Sequence, residues 1–292
     1  MTVALAYRAF AKVNLYLDVL DKRRDGYHNI ETIFQSVGLA DDLVFMERQS
    51  RVSLACASPD LDRGDGNLVV RAAKLLRARS GRRAGARIEL VKGIPVAAGL
   101  AGGSSDASTT LIALNQLWEV GWSRARLRAL ARELGADVAY CIEGGTVAAT
   151  GRGDALTRLP GLPPTWFVLV HPDVPVSTAR VYASPGLGHS AERPFAGKTP
   201  RFRTALRALE AGDLAHAVFN RMEGPVFADH PQLADVKQRL LDHGCLAAGM
   251  SGSGATLFGL CASRRNAVGI AEAFPEYRTS VVHSVPACAE RA

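Results

Sequence analysis

Apolar and polar residues alternate early in the chain. Val13, Leu15, Leu17 and Val19 alternate with Asn14, Tyr16 and Asp18, so Ala4–Val19 reads as one or two strands. That phase puts Lys12 and Asn14 on one face, where a lysine on a solvated strand is the ordinary expectation. Glu31–Val37, Leu43–Met46 and Val52–Ala57 read as further short strands, and Pro59–Gly66 as a turn-rich loop. The period then lengthens. Asn67 caps a helix running to Arg79, with Leu68, Val69, Ala72, Ala73, Leu75 and Leu76 apolar. The alternating Ala86–Val91 is a strand, and Ala107–Trp118 carries Leu111, Leu114, Leu117 and Trp118 at helical spacing. Ser123 caps another helix, which Gly135 ends.

The second half continues with a strand at Trp166–Val170, a segment from Ser177 that includes Tyr182, and a Gly/Pro-rich loop over Pro185–Pro200. Helices are expected at Phe202–Glu210, Leu214–Arg221, Pro231–His243 and Ser263–Phe274, and a closing strand at Thr279–Val285. Strands and helices are mixed along the chain. At roughly 150 residues per domain, 292 residues suggest two domains or one large one, and a boundary is placed here that gives 1–153 and 154–292.

Between the strand at Ala86–Val91 and its following helix lies Pro95-Val96-Ala97-Ala98-Gly99-Leu100-Ala101-Gly102-Gly103-Ser104-Ser105-Asp106. Glycines let the backbone approach a ligand closely. Ser104 and Ser105 add hydroxyls where a helix start leaves N–H groups free and its dipole favours an anion. The stretch is a phosphate site, or else a plain Gly-rich turn with a Ser N-cap. It matches neither G-x-x-x-x-G-K-[ST] nor G-x-G-x-x-G, which excludes a Walker A loop and a dinucleotide fingerprint. A second Gly/Ser loop, Gly249-Met250-Ser251-Gly252-Ser253-Gly254-Ala255-Thr256, runs into an apolar strand. Two such loops beside regular elements suggest a ligand with phosphates at both ends.

Composition adds limits. Hydrophobic residues make up 48% and charged residues 22%, ordinary for a soluble globular protein. No apolar run has the length a bilayer needs, and the N-terminal residues show no signal-peptide pattern. Cys56, Cys141, Cys245, Cys261 and Cys288 are odd in number and widely spaced, which fits a reducing cytoplasm better than a disulfide framework or a metal site. The net charge of +7 suits a polyanionic small substrate, and nucleic acid as well, although arginines spread along helices read as a solvated basic face.

Two further stretches carry candidate chemistry. Arg23-Arg24-Asp25-Gly26-Tyr27-His28 is a turn that presents two rings among cations, either a polar hairpin loop or a grip for a flat anionic ligand. In Gly135-Ala136-Asp137-Val138 the acid sits among small and apolar residues, as a general base or as a cap for the next turn.

Taken together, these motifs resemble the GHMP kinases, whose phosphate loop has the form Pro-x(3)-Gly-Leu-x-Gly-Gly-Ser-Ser and whose late loop reads Gly-x-Ser-Gly-x-Gly-Ala-Thr. Ala11-Lys12-Val13-Asn14-Leu15, the Asp-Gly-Tyr-His turn and Gly135–Val138 look like the branch that phosphorylates the 2-hydroxyl of 4-diphosphocytidyl-2-C-methyl-D-erythritol. The resemblance implies an α+β fold, with an N-terminal domain like the second domain of ribosomal protein S5, a ferredoxin-like C-terminal domain, and a site in the cleft between them. It implies ATP as donor with Mg²⁺ as its counter-ion, for which the sequence names no protein ligand. The protein would be a cytoplasmic monomer or homodimer, with no nucleic-acid or membrane partner. It implies Asp137 as general base with Lys12 beside it, and Asn14 placing the methylerythritol. Tyr27, His28 and Tyr182 would hold the cytosine. Asn67 and Lys92 would line the adenine pocket, Pro95 to Ser105 would wrap the ATP phosphates, and Ser251, Gly252 and Ser253 would close over the reacting end. One departure is Ala101, where the family often has glycine. Its side chain implies an ordinary backbone conformation there. Another kinase of the superfamily, or a relative that only binds nucleotide or nucleic acid, are the competing readings.

Overall fold

The computed structural model describes residues 4–59, 61–188 and 198–292. The chain runs β1 (Ala4–Lys22), β2 (His28–Arg48), β3 (Val52–Cys56), α1 (Leu68–Ser80), β4 (Gly85–Val91), α2 (Gly102–Leu117), α3 (Arg124–Ala131), α4 (Ala136–Glu143), β5 (Thr146–Thr150) and β6 (Ala155–Arg158). It continues β7 (Trp166–His171), α5 (Thr178–Tyr182), α6 (Pro200–Glu210), α7 (Leu214–Ala217), β8 (Phe219–Asn220), α8 (Glu223–Asp229), α9 (Pro231–Asp242), β9 (Ala247–Met250), β10 (Leu257–Cys261), α10 (Arg264–Glu272), β11 (Arg278–His283) and β12 (Ala289–Arg291).

Two sheets organise these elements. The first has the order β12-β1-β2-β4-β3, with β5 joining β2, β6 joining β5, and β8 joining β1. The second is antiparallel throughout, in the order β11-β7-β10-β9. Helices α1 and α2 bury Val69, Leu76, Leu111 and Leu114 against Leu43, Phe45 and Ile88 of the first sheet. Helices α9 and α10 bury Leu233, Val236, Ile270 and Phe274 against Val168 and Val170 of the second. A third cluster joins Val13, Leu15 and Ile33 to Phe167, Leu169 and Phe258, so the two sheets share a core. Each large side chain so buried contributes roughly 1.5–3 kcal/mol.

This sharing alters the reading of β1. Residues Ala9 to Leu20 are all buried, including Lys12 and Asn14 at 3% exposure each. The solvated strand face expected there does not exist, because both faces of β1 are covered. Several boundaries also shift. The strands expected at Glu31–Val37 and Leu43–Met46 are parts of one strand, β2, which pairs along β1 with register shifts between Phe10 and Ala11 and between Asn14 and Tyr16. The helix after Ser123 stops at Ala131, and Gly135 instead precedes α4 in an extended conformation. The helix expected over Leu214–Arg221 ends at Ala217, because Phe219 and Asn220 pair with Tyr16 and Leu17. Much of the loop expected over Pro185–Pro200 lies outside the described residues. Among those described, no helix is long and apolar enough to cross a membrane.

Candidate active site

Strand β4 leads through Lys92 and Pro95 into α2. The helix begins at Gly102, not Ala107, so Gly102 to Asp106 form its first turn and a half. The residue before it, Ala101, lies at φ 55° and ψ 30°. The expectation of an ordinary conformation at Ala101 is therefore wrong: this alanine is left-handed, a state that costs an L-residue about 1–2 kcal/mol. We expect Ala101→Gly to stabilise the protein by about 1 kcal/mol, read as a higher denaturant midpoint. A lower midpoint would show that the methyl group makes a compensating contact.

The hydroxyls of the loop also divide. Ser105 is fully buried and donates to the Phe10 carbonyl at 2.7 Å, so it bolts α2 to β1 and does not face a ligand. The Leu100 side chain points into the shared core, leaving only its backbone to the loop. Ser104 lines a groove of about 420 Å³ together with Asn67, Lys92, Val96, Gly99 and Gly103. Asn67 serves two purposes. It caps α1 by accepting from the Val69 N–H at 2.8 Å, and it forms the groove wall. Lys92 is also a wall residue, with its charge already matched. Its ammonium donates to Asp41 and, at 2.9 Å, to Asp106. Burial pulls the Lys92 pKa down, but Asp106 and Asp41 outweigh burial and raise it. Burial, then Asp41, pushes Asp106 up to about 8, against the pull of Lys92.

Gly99 is where the two Gly/Ser loops meet. Its carbonyl accepts from Lys12 Nζ at 2.8 Å and from Ser251 Oγ at 2.9 Å. A Cβ at Gly99 would lie 2.0 Å from the Ser251 carbonyl oxygen, so only glycine fits. Gly252 lies beside it at φ 58°, a left-handed conformation that favours glycine. The Ser251 hydroxyl is thus committed, and that of Ser253 pairs with Thr178 Oγ1 at 2.7 Å. Asn220, which no pattern in the sequence singled out, holds the second loop by donating to the Met250 and Gly252 carbonyls at 2.7 and 2.8 Å.

Lys12 itself donates to Asn14 Oδ1 at 2.6 Å, and Asn14 donates in turn to Thr32 Oγ1 at 2.8 Å. Thr32, another residue the sequence did not flag, thereby fixes which way Asn14 presents its amide. Burial lowers the Lys12 pKa, and the nearby Asp137 carboxylate opposes that fall. Asp137 sits half-buried in the first turn of α4 and makes no hydrogen bond among the described residues. It also bears on Tyr182, whose pKa burial, then Asp137, raises to about 12. The Tyr182 ring stacks on His28, with centroids 5.0 Å apart and planes at 25°. Burial, then Lys22, pulls the His28 pKa below its ordinary value against Asp21, so the imidazole is neutral at pH 7 and both donates and accepts. The structure therefore brings Lys12, Asn14, Asp137, Tyr182 and His28 together. Tyr27 stands apart from that stack: it is 55% exposed, and the Arg152 guanidinium lies 3.7 Å over its ring. A separate cavity of about 510 Å³, bordered by Trp166, His283 and Arg158, contains none of these candidates.

The GHMP kinases N terminal domain matches residues 67–145, and the GHMP kinases C terminal domain matches residues 199–278. The chain is 47% identical over 262 residues to the 4-diphosphocytidyl-2-C-methyl-D-erythritol kinase of Pelotomaculum thermopropionicum, covering 89% of this chain and 90% of that one. A crystal structure of 4-(cytidine 5'-diphospho)-2C-methyl-D-erythritol kinase superposes with TM-score 0.79 at 38% identity, covering 96% of this chain and 99% of the other. A homoserine kinase from Cytophaga hutchinsonii superposes equally well, at TM-score 0.79, but at 20% identity it speaks for the fold alone, over 99% of this chain and 97% of its own. With its two-domain α+β fold, the chain belongs to the 4-diphosphocytidyl-2-C-methyl-D-erythritol kinase family of the GHMP kinases.

Proposed function

We infer that the protein transfers the γ-phosphate of ATP to the 2-hydroxyl of 4-diphosphocytidyl-2-C-methyl-D-erythritol, a step of the methylerythritol phosphate route to isoprenoid precursors. The observation that carries this reading is the position of Asp137. It has no hydrogen bond of its own, and its charge bears both on the Lys12 ammonium and on the ring that stacks with His28.

In this reading the neutral His28 bonds the cytosine edge, Tyr182 and Tyr27 flank the base, and Asn14 places the methylerythritol. Asp137 takes the proton from the 2-hydroxyl as the oxygen attacks. Lys12 holds Asp137 ionised and neutralises charge on the transferring group. The first turn of α2 offers its free N–H groups to the phosphates of ATP, and the adenine lies toward Asn67 and Lys92. Ser251, Gly252 and Ser253 close the reacting end, the loop held to Gly99 through Ser251 and to Thr178 through Ser253. Phosphoryl transfer asks mainly for in-line positioning and neutralisation, which these groups supply. Magnesium fits as an ion delivered with ATP. Among the described residues no group of three or more His, Cys, Asp or Glu is placed to cage a metal, so phosphate oxygens and water would fill most of its shell. When bound it would offset the negative charge of the ATP phosphates.

The division of the chain at 153/154 belongs to this proposal. It is supported by a second sheet drawn wholly from β7 onward, although β6, just beyond the division, pairs with β5, and β8 and β12 reach back to β1. Action in the cytoplasm, as a monomer or a homodimer, is part of the same reading. The test is ADP release with Mg²⁺-ATP and a panel of acceptors. Turnover with 4-diphosphocytidyl-2-C-methyl-D-erythritol, and none with homoserine, mevalonate or galactose, is expected. Turnover with another acceptor alone would discard the cytosine pocket and leave the phosphate loop in place.

A further inference from the structure

We propose that Arg152 receives the diphosphate of the cytidine substrate and is a specificity-determining residue for it. The inference rests on the substrate reading above. That substrate carries its two charges between the base and the polyol, so a base held at His28 and Tyr182 and a hydroxyl held at Asp137 place the diphosphate between them. The cation for it must come from the same interval.

Arg152 stands there by construction. It is the middle residue of the β5–β6 turn, between Gly151 at φ 67° and Gly153 at φ 89°, conformations that glycine adopts without strain. One side of the turn is fastened to the cytosine end, because the Ile30 N–H donates to the Gly151 carbonyl at 2.7 Å, two residues after His28. The other side lies near the base end of the reaction: a Cβ built at Gly153 would fall 3.7 Å from the Ala136 Cβ, one residue before Asp137. The guanidinium is oriented by the Tyr27 ring, 3.7 Å beneath it. A planar cation stacked on a ring keeps its N–H edge free, and that edge matches phosphate oxygens in pairs.

Several neighbouring charges are otherwise engaged. Arg23 pairs with Asp25 at 3.1 Å and bonds Asn29 at 3.0 Å. Arg132 donates to the Asp154 carbonyl at 2.9 Å. Lys12 is held by Gly99 and Asn14 at the reacting end, beside Asp137. Lys22 acts on His28, at the end where the base lies. Asp25 senses the Arg152 charge but is bonded by Arg23. Arg152 makes no hydrogen bond or ion pair among the described residues, and it is exposed.

Titration of the full-length protein with cytidine and with CDP tests this. Wild type should prefer CDP. Arg152→Ala should lose roughly 10–100-fold in CDP affinity, with cytidine affinity unchanged. Arg152→Lys should recover part of the loss, as a charge without the paired edge. In turnover, Arg152→Ala should raise KM for the cytidine substrate, with kcat and KM for ATP nearly constant, the pattern of lost uniform binding. Equal weakening of cytidine and CDP would reduce Arg152 to a support for Tyr27 and overturn the proposal. So would a loss of CDP preference in Lys22→Ala but not in Arg152→Ala. Wild type that binds neither cytidine nor CDP would overturn the substrate reading and this inference together, whereas normal wild-type binding with an unaltered Arg152→Ala overturns only the latter.

Discussion

Asp137→Asn lowers kcat by roughly 10²–10⁴-fold, the usual contribution of a positioned general base, while ATP binds with unchanged affinity. The substitution keeps the shape of a half-buried side chain that has no hydrogen bond to lose, so the fold is left intact. The base is gone, and the attacking hydroxyl keeps its proton. A second consequence follows from the charge. Asp137 opposes the fall in the Lys12 pKa, so removing it makes the ammonium easier to deprotonate. The residual activity of Asp137→Asn should therefore fail at lower pH on the alkaline side than wild-type activity does. Single-turnover rates, with ATP affinity measured separately, decide the matter. Activity within about threefold of wild type would remove Asp137 from the mechanism, and weakened ATP binding would place it in the nucleotide groove instead.

What the sequence made legible was local. The Asn67 cap, the Asp-Gly turn before Tyr27 and the two Gly/Ser loops each carry their signal within a few residues, through hydrogen bonding or backbone freedom that only certain side chains allow. What it hid depends on contacts across the chain. Ser251 reaches the Gly99 carbonyl over a separation of 152 residues, and no spacing rule anticipates that. Lys12 was read as solvated because an alternating pattern says which residues share a face, not what covers that face. Here β2, α2 and the second sheet leave β1 no face in water. Ala101 misled for the opposite reason. The rule that alanine avoids the left-handed region is sound on average, but a loop held at Gly99 by Lys12 and at Ser105 by Phe10 overrides it. Thr32 and Asn220 act through other residues, and a single sequence gives such roles no signal.

Lys12→Met is the second substitution with a large effect, and it separates function from stability. Methionine matches the length of the side chain without its charge. Loss of the ammonium should cost roughly 10²–10³-fold in kcat, as for a single donor aimed at charge that develops in the transition state. Arginine should not restore activity, because Lys12 is buried and its ammonium is held between the Gly99 carbonyl and Asn14 Oδ1, a seat fitted to a compact head rather than a planar guanidinium. Stability responds to two opposed terms. Asn14 Oδ1 loses its donor, at about 1–3 kcal/mol if it stays dry, while the Gly99 carbonyl keeps the Ser251 hydroxyl. Against this, the fold no longer buries a cation. Because burial lowers the Lys12 pKa in the folded state below its unfolded value near 10.4, the unfolded chain takes up the proton first as pH falls. The burial cost is therefore fully present below the folded pKa and is relieved as pH rises from the folded to the unfolded value. Wild-type stability should gain from Lys12 over that alkaline window, and Lys12→Met should lack this gain. Activity runs the other way, since the same deprotonation removes the charge that the transferring phosphoryl group needs. A wild-type alkaline limb in kcat/KM below the ordinary lysine range, present while the protein stays folded, is the expected result. A limb at the ordinary lysine value would show that the titrating group is not the buried Lys12.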